Sequence, residues 1–254
     1  MQYESANRLA SLLHLVPDSS SLAGWVFQSL VIHKLVSGEV PKTIYVMLYD
    51  GALGSDKANG FRLSVRGAQQ RNFPAHPRKH KLVEFKKKKL KWDLEEPIFN
   101  YLCVPKSATN PLFDAFFVEV RCTKSFRKAT IWVVQATISD THNGSKEGYP
   151  LLHSIADVVR KQMASLKPCP PEKPPKKKLK SMSSAQSSVN FHYVYACPLT
   201  TGECIWYFEK SDSWEGLQGQ VFCMKLDMAV RPSMFPMSLR LALLLRQSLG
   251  LKFP

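Results

Sequence analysis

Two apolar runs joined by a short polar segment place the strongest constraint on the fold of this 254-residue chain. DAFFVEVR (114–121) and ATIWVVQATI (129–138) are rich in β-branched and aromatic residues, and CTKSFRK separates them. This pattern predicts an antiparallel β-hairpin. Each run also carries a polar residue where burial is costly, because Asp114 opens the first and Gln135 lies inside the second.

Asp114 admits two interpretations. A buried carboxylate needs hydrogen bonds or a metal ion, and a carboxylate beside a polar Gln135-x-Thr137 strand end is how several metal-dependent nucleases arrange their site. The alternative is that Asp114 caps a strand or accepts hydrogen bonds in a turn. The two interpretations predict different partners for the same side chain.

The remaining sequence predicts further helices and strands around this hairpin. Helical patterns cover 5–15, 20–36, 154–166 and 236–249, and strand patterns cover 44–49, 61–65, 81–85, 98–104, 190–197, 203–210 and 220–226. The segment 167–188 is rich in Pro, Lys and Ser, which predicts an extended, flexible insertion. Because strands alone after it would form a poor independent core, we predict a single domain over 1–254.

The chain is strongly basic, with a net charge of +15. Such an excess favours polyanion partners, nucleic acid first. The pentapeptide KKKLK occurs twice, and we predict nucleic-acid contact for the first cluster and a nuclear localisation signal that binds an import receptor for the second. The alternative for both is a solvated lysine cluster. The first cluster comprises Lys86, Lys87, Lys88 and Lys89, and the second comprises Lys176, Lys177, Lys178 and Lys180.

Several classes of protein are disfavoured by what the sequence lacks. None of the six cysteines forms a C-x-x-C pair and no histidine pair has zinc-finger spacing, so no structural zinc site is predicted. No secretory signal opens the chain, and the apolar run LRLALLLRQSLGL is too short to span a bilayer. We therefore predict no membrane association, and we predict that, if the protein is exported, the exporting segment lies outside this chain. A phosphate-binding G-x-x-x-x-G-K-[ST] loop is also missing, so nucleotide hydrolysis is not predicted.

Four segments, in order, resemble the C-terminal toxin-like domain of Crinkler effectors and the related retrotransposon hot spot proteins. They are AGWVFQSLVIHKL, YLCVPKSATNPLFDAFFVEV, VVQATISDTH and NFHYVYACP, and the resemblance runs over roughly residues 20–210. It implies an α/β fold, a mixed sheet flanked by helices, with a restriction-endonuclease-like core. It also implies a secreted effector that reaches a host nucleus and acts on or binds DNA.

The resemblance further implies a metal-dependent DNA endonuclease site that uses Mg²⁺ or Mn²⁺. It makes Asp114 a metal ligand with Gln135 beside it, and it places Gln28 where the helix commonly offers a Glu. Thr137 stands where active nucleases keep a Lys, and His142 is a candidate base or phosphate contact. Because Thr and Gln carry no charge, the resemblance predicts a degenerate catalytic site. The alternatives are a non-catalytic nuclear module that binds nucleic acid or a host nuclear protein, and a silent fragment of a longer effector.

Overall fold

A computed structural model describes residues 20–49, 60–107, 110–122, 126–166, 186–209 and 211–227. Over these ranges the chain has a mixed α/β fold, with one large mixed sheet and two α-helices, as predicted. The helices are α1 (Ser20–Ser37) and α2 (Tyr149–Ser165). The strands are β1 (Thr43–Tyr49), β2 (Gly60–Asn72), β3 (His80–Lys86), β4 (Lys89–Lys91), β5 (Leu102–Pro105), β6 (Ala115–Cys122), β7 (Phe126–Ala136), β8 (Thr141–Gly144), β9 (Gln186–Pro198), β10 (Ile205–Glu209) and β11 (Gly219–Leu226).

The predicted hairpin lies near the middle of the sheet. The strand order is β4-β3-β5-β6-β7-β9-β11-β1-β2-β10-β8. Strands β6 and β7 pair antiparallel with Ala115 opposite Val134, which confirms the hairpin. Strand β7 then pairs parallel with β9, and β9 pairs parallel with β11. Asp114 directly precedes β6, so this register brings it to the level of Gln135.

Two apolar cores lie on opposite faces of the sheet. On one face α2 contributes Ile155 to a cluster that includes Val133. On the other, α1 contributes Val31 to a cluster that includes Val134. Successive residues of a strand point to opposite faces, so a strand covered on both sides is apolar at nearly every position. This double burial explains why the two runs of the hairpin are almost continuously apolar.

The part of the sheet from β9 to β8 curls back on itself. Strand β10 is four places from β9, which in a flat sheet would separate them by roughly 19 Å at ~4.8 Å per strand. The rings of Tyr195 on β9 and Trp206 on β10 are only 5.7 Å apart. The hydroxyl of Tyr195 also donates to the carbonyl oxygen of Ser139, just before β8, at 2.7 Å. Residues distant in strand order therefore meet inside the curl.

Some predicted boundaries were wrong for identifiable reasons. The predicted strand 98–104 begins with a 3-10 turn (Ile98–Asn100), because the Ile98 amide donates to Gln162 of α2 at 2.9 Å. Helix α2 starts five residues earlier than predicted, with a proline in its first turn, where no backbone N–H is needed. Strand β9 starts at Gln186, inside the predicted insertion. The predicted helices 5–15 and 236–249 and residues 167–185 lie outside the described residues.

Gly219 is required where β11 approaches β9. A Cβ atom at this position would lie 2.1 Å from the carbonyl oxygen of Phe191, and a backbone atom cannot move aside as a flexible side chain can. We expect Gly219→Ala to lower the free energy of unfolding by about 1–3 kcal/mol, measured by urea denaturation. Gly202→Ala is the matched control, because nothing lies within 4 Å of its added Cβ. Equal effects of the two substitutions would contradict the close-approach argument.

Candidate functional site

Asp114 and Gln135 form a buried polar pair inside the apolar sheet. The Oδ2 atom of Asp114 accepts hydrogen bonds from Nε2 of Gln135 at 2.9 Å and from the backbone amide of Ala136 at 2.6 Å. The Asp114 amide donates to the carbonyl oxygen of Val134 at 2.8 Å. The carboxyl group is thus held by the neighbouring strand through both main-chain and side-chain contacts. This is the arrangement expected if Asp114 accepts hydrogen bonds at a strand end rather than binding a metal ion.

The environment of this pair favours an uncharged carboxyl group. Burial raises the pKa of Asp114 to about 7, against the opposing effect of the hydrogen bond from the Ala136 amide. Near neutral pH the side chain is therefore divided between its neutral and ionised forms. A carboxylate that binds a metal ion has to be ionised, so this shift opposes metal binding.

The donor atoms around Asp114 do not fit Mg²⁺ or Mn²⁺. These hard cations take oxygen ligands in an octahedral arrangement. Gln135 presents its Nε2 donor to Asp114, while its Oε1 atom is buried without a hydrogen-bond partner among the described residues. Both neighbours of Oδ2 are N–H groups, which cannot be metal ligands. The geometry explains Asp114 as a hydrogen-bond acceptor, and the described residues around it form no set of oxygen ligands for a dication.

Gln28 lies on the other side of the sheet from this pair. Helix α1 packs against the face that contains Val134, whereas Gln135 points to the opposite face. Tyr195, which is opposite Gln135 in β9, belongs to the cluster on that opposite face. The sheet therefore separates Gln28 from Gln135, and the structure does not assemble the three predicted ligands at one point.

Thr137 and His142 make other local contacts. The amide of Thr137 donates to the carbonyl oxygen of Ala196 at 2.9 Å, and its hydroxyl accepts from the Ser139 amide at 3.1 Å, so the side chain caps a turn. His142 lies within β8, between the rings of Tyr195 and Trp206. Burial lowers the pKa of His142 and keeps its imidazole neutral at pH 7. Neither contact set includes Asp114.

The first lysine cluster forms the tip of a hairpin at one edge of the sheet. Lys86 of β3 pairs with Lys89 of β4, which leaves Lys87 and Lys88 as a two-residue loop. Their φ angles are 50° and 63°, a combination typical of a type I′ turn and usually supplied by Asn-Gly. The side chains of all four lysines are exposed. The hairpin therefore concentrates four positive charges on a single projecting turn, which we call the lysine tip (Lys86–Lys89).

Ion pairs neutralise the lysines that flank the lysine tip. Lys91 pairs with Glu84 at 3.2 Å, and Lys81 pairs with Glu96. Trp92, which lies beneath the Lys81 ammonium, donates its indole N–H to the Glu96 carbonyl oxygen at 2.7 Å, so it is part of the fold. Within the described part of the chain, no ion pair involves the four lysines of the tip. No acidic side chain among the described residues therefore offsets the charge of the lysine tip.

The spacing of the cysteines gave no indication that three of them meet. Cys197, Cys204 and Cys223 are buried, and their sulfur atoms lie within 4.8 Å of one another. Sequence spacing could not reveal this cluster, because Cys204 reaches the other two only through the curl of the sheet. The signal in the sequence is limited to three cysteines in or at the ends of apolar, strand-like runs, all between residues 197 and 223. The predicted localisation signal (Lys176–Lys180) lies outside the described residues.

Comparison of the chain with protein-family models, with curated proteins and with solved structures finds no match. No helix in the described ranges is both long and apolar enough to cross a membrane.

Proposed function

We propose that this chain is a nuclear DNA-binding module on a restriction-endonuclease-like scaffold of the Crinkler effector type, and that it does not cleave DNA. The lysine tip is the proposed contact surface. The observation that carries the proposal is the exposure of four lysines on one tight turn with no ion pair among the described residues. In this proposal Lys176–Lys180 serves as the nuclear localisation signal.

The backbone of the lysine tip supports a role for its charge. Positive φ angles at residues other than glycine cost roughly 1–2 kcal/mol each, and turns of this type favour Asn and Gly. Lys87 and Lys88 occupy both positive-φ positions. A side chain that is unfavourable for the local fold but is exposed and charged is typical of a binding surface. Each lysine that reaches a phosphate displaces a condensed counterion, which makes the resulting affinity dependent on salt.

The contacts of Asp114 are the reason that we propose DNA binding without DNA cleavage. Its carboxyl group is buried, is bound by two N–H groups and has a pKa raised by burial to about 7. Hydrolysis assisted by a metal ion needs ionised oxygen ligands and space for a water molecule. These features favour a structural role for Asp114, with the endonuclease reaction lost or absent.

Fluorescence anisotropy with a labelled random-sequence DNA duplex tests binding. We expect the logarithm of the association constant to fall with the logarithm of salt concentration with a slope of about −3 to −4, because four phosphate contacts contribute about −0.9 each. Plasmid DNA incubated with the chain and Mg²⁺ or Mn²⁺ is expected to remain intact. Absence of binding at 50 mM salt would overturn the DNA-binding proposal. Cleavage that Asp114→Ala abolishes would overturn the non-catalytic part and establish the endonuclease.

A further inference from the structure

Three thiols converge at the curled part of the sheet, away from the lysine tip. The sulfur of Cys197 is 3.3 Å from that of Cys204 and 3.6 Å from that of Cys223. All three side chains are buried, and none is in a disulfide. A buried free cysteine commonly packs as a small hydrophobic side chain. Three sulfur atoms within 4.8 Å of one another also form a set of ligands that one metal ion could share.

We propose that Cys197, Cys204 and Cys223 form a thiolate site for a thiophilic d¹⁰ cation, Zn²⁺ or Cu⁺. Thiolates are the ligands that these soft or borderline cations select. Within the described ranges the metal-ligating group consists of these three sulfurs alone. Three thiolates complete a trigonal Cu⁺ site, and they leave one position of a tetrahedral Zn²⁺ site for a fourth ligand.

The distances between the sulfur atoms fit a shared metal ion. Three sulfurs bound to Zn²⁺ at about 2.3 Å would lie about 3.8 Å apart in a tetrahedral site and about 4.0 Å apart in a planar one. The two observed separations, 3.3 Å and 3.6 Å, are slightly shorter than these values, and all three sulfur atoms lie within 4.8 Å of one another. Shifts of a few tenths of an ångström would therefore suffice for coordination.

The sheet register places Cys197 and Cys223 together, and a hydrogen-bonded connecting segment places Cys204 beside them. In the parallel pair β9 and β11, Tyr195 lies opposite Cys223 and Cys197 lies opposite Lys225, so Cys197 and Cys223 share one face. The segment 199–204 then crosses to Cys204. It is held to the end of β11, because the Leu199 amide donates to the Leu226 carbonyl oxygen at 2.7 Å. The Lys225 ammonium also donates to the Thr201 carbonyl oxygen at 2.9 Å.

The charges around the cluster suit bound thiolates. Lys225 lies on the same face of β11 as Cys223, two residues further along the strand. Three thiolates and one dication carry a net charge of −1, which the ammonium group of Lys225 offsets.

Cobalt substitution of the full chain, purified with a reductant and stripped with a chelator, tests this site. We expect Co²⁺ to bind one per chain with a thiolate-to-metal charge-transfer absorption, which Zn²⁺ then abolishes by displacement. A parallel competition against a chromogenic Cu⁺ chelator shows which of the two cations is held more tightly. We also expect the preferred cation to raise the melting temperature, because it binds the folded state alone.

Substitutions at the cluster and at a buried thiol outside it make the test specific. Cys197→Ser and Cys204→Ser are expected to weaken cation binding by more than about 100-fold, because loss of a ligand exceeds the effect of losing an outer contact. Cys103→Ser is the matched control, since Cys103 is fully buried in the same apolar core but is not part of the cluster. It is expected to keep the wild-type affinity and the cation-induced rise in melting temperature.

Three results would overturn the proposal. The first is a wild-type chain that binds neither cation more tightly than Cys197→Ser does. The second is equal loss of binding in the Cys103→Ser control, which would trace the loss to core disruption. The third is a Cys197–Cys204 disulfide in the purified chain whose reduction does not yield metal binding. Cys204→Ser, at the edge of β10, keeps the test valid if the substitution inside β9 prevents folding.

Discussion

At pH 8 the Asp114→Asn variant is expected to be more stable than the wild-type chain, by up to roughly 4 kcal/mol at ~1.4 kcal/mol per pKa unit. Burial raises the pKa of Asp114 from 3.8 to about 7, so above pH 7 the native fold holds a buried negative charge. Asparagine removes that charge and keeps an oxygen that accepts from the Ala136 amide and from Gln135. The gain arises from the charge alone, because the two hydrogen bonds are retained.

The pH dependence has a definite sign. The folded chain binds the Asp114 proton more tightly than the unfolded chain does, so the wild type is most favoured below about pH 4 and loses stability as pH rises to about 7. The excess in the free energy of unfolding of Asp114→Asn over the wild type should therefore grow between pH 4 and pH 7 and level off above pH 7. Urea denaturation at closely spaced pH values measures this difference.

An exposed aspartate provides the control for this titration. Asp157 is exposed on α2 and pairs with Arg160 at 2.8 Å, so Asp157→Asn removes a carboxylate of the same type from solvent rather than from the core. We expect it to change the stability by less than about 0.5 kcal/mol at any pH. Destabilisation of Asp114→Asn at pH 8 would contradict the buried-charge argument. It would indicate instead that an ionised Asp114 has a stabilising partner.

The Lys87→Asn/Lys88→Gly variant is expected to weaken DNA binding and to stabilise the fold at the same time. Loss of two phosphate contacts should reduce the slope against salt by about 2 and the affinity at 0.1 M salt by roughly 10- to 100-fold. Asn-Gly suits the positive φ angles of both positions, so we expect the free energy of unfolding to rise by about 1 kcal/mol or more. Opposite signs for the two effects exclude misfolding as the cause of weaker binding.

Removal of two lysines elsewhere provides the matched control for charge. Lys42 precedes β1, and Lys79 precedes β3, at the end of that strand away from the lysine tip. Both side chains are exposed, and neither forms an ion pair with another described residue. The Lys42→Asn/Lys79→Gln variant has the same net charge as the variant of the lysine tip, and we expect it to retain most of the affinity. A loss equal to that of the tip variant would show that binding depends on net charge rather than on this turn.

Local patterns in the sequence predicted much of the sheet. The hairpin of β6 and β7 was predictable because two apolar runs flank a short polar segment, and antiparallel pairing then follows from the short connection. Strands β4 and β8 were missed, because segments of three and four residues are too short to show a periodic pattern. Their pairing depends on neighbours that are distant in the sequence.

The candidate site was likewise predictable only in part from the sequence. The proximity of Asp114 and Gln135 follows from the register of a local hairpin, so the sequence could suggest it. Which atoms face each other could not be read from the sequence, and that detail decides between a metal ligand and a hydrogen-bond acceptor. The positions of Gln28 and His142 also depend on which face of the sheet each element covers, and this is a property of long-range packing.

By itself, the sequence determined the basic charge, the mixed α/β class and the buried hairpin, because composition and short-range periodicity are sufficient for these. Only the tertiary structure decided that the lysine tip is an exposed turn with positive φ angles, that Asp114 is bound by N–H groups, and that three cysteines meet. The curl of the sheet is the physical reason for the cysteine cluster. It brings strands that are four places apart into contact, and no spacing along the chain encodes that approach.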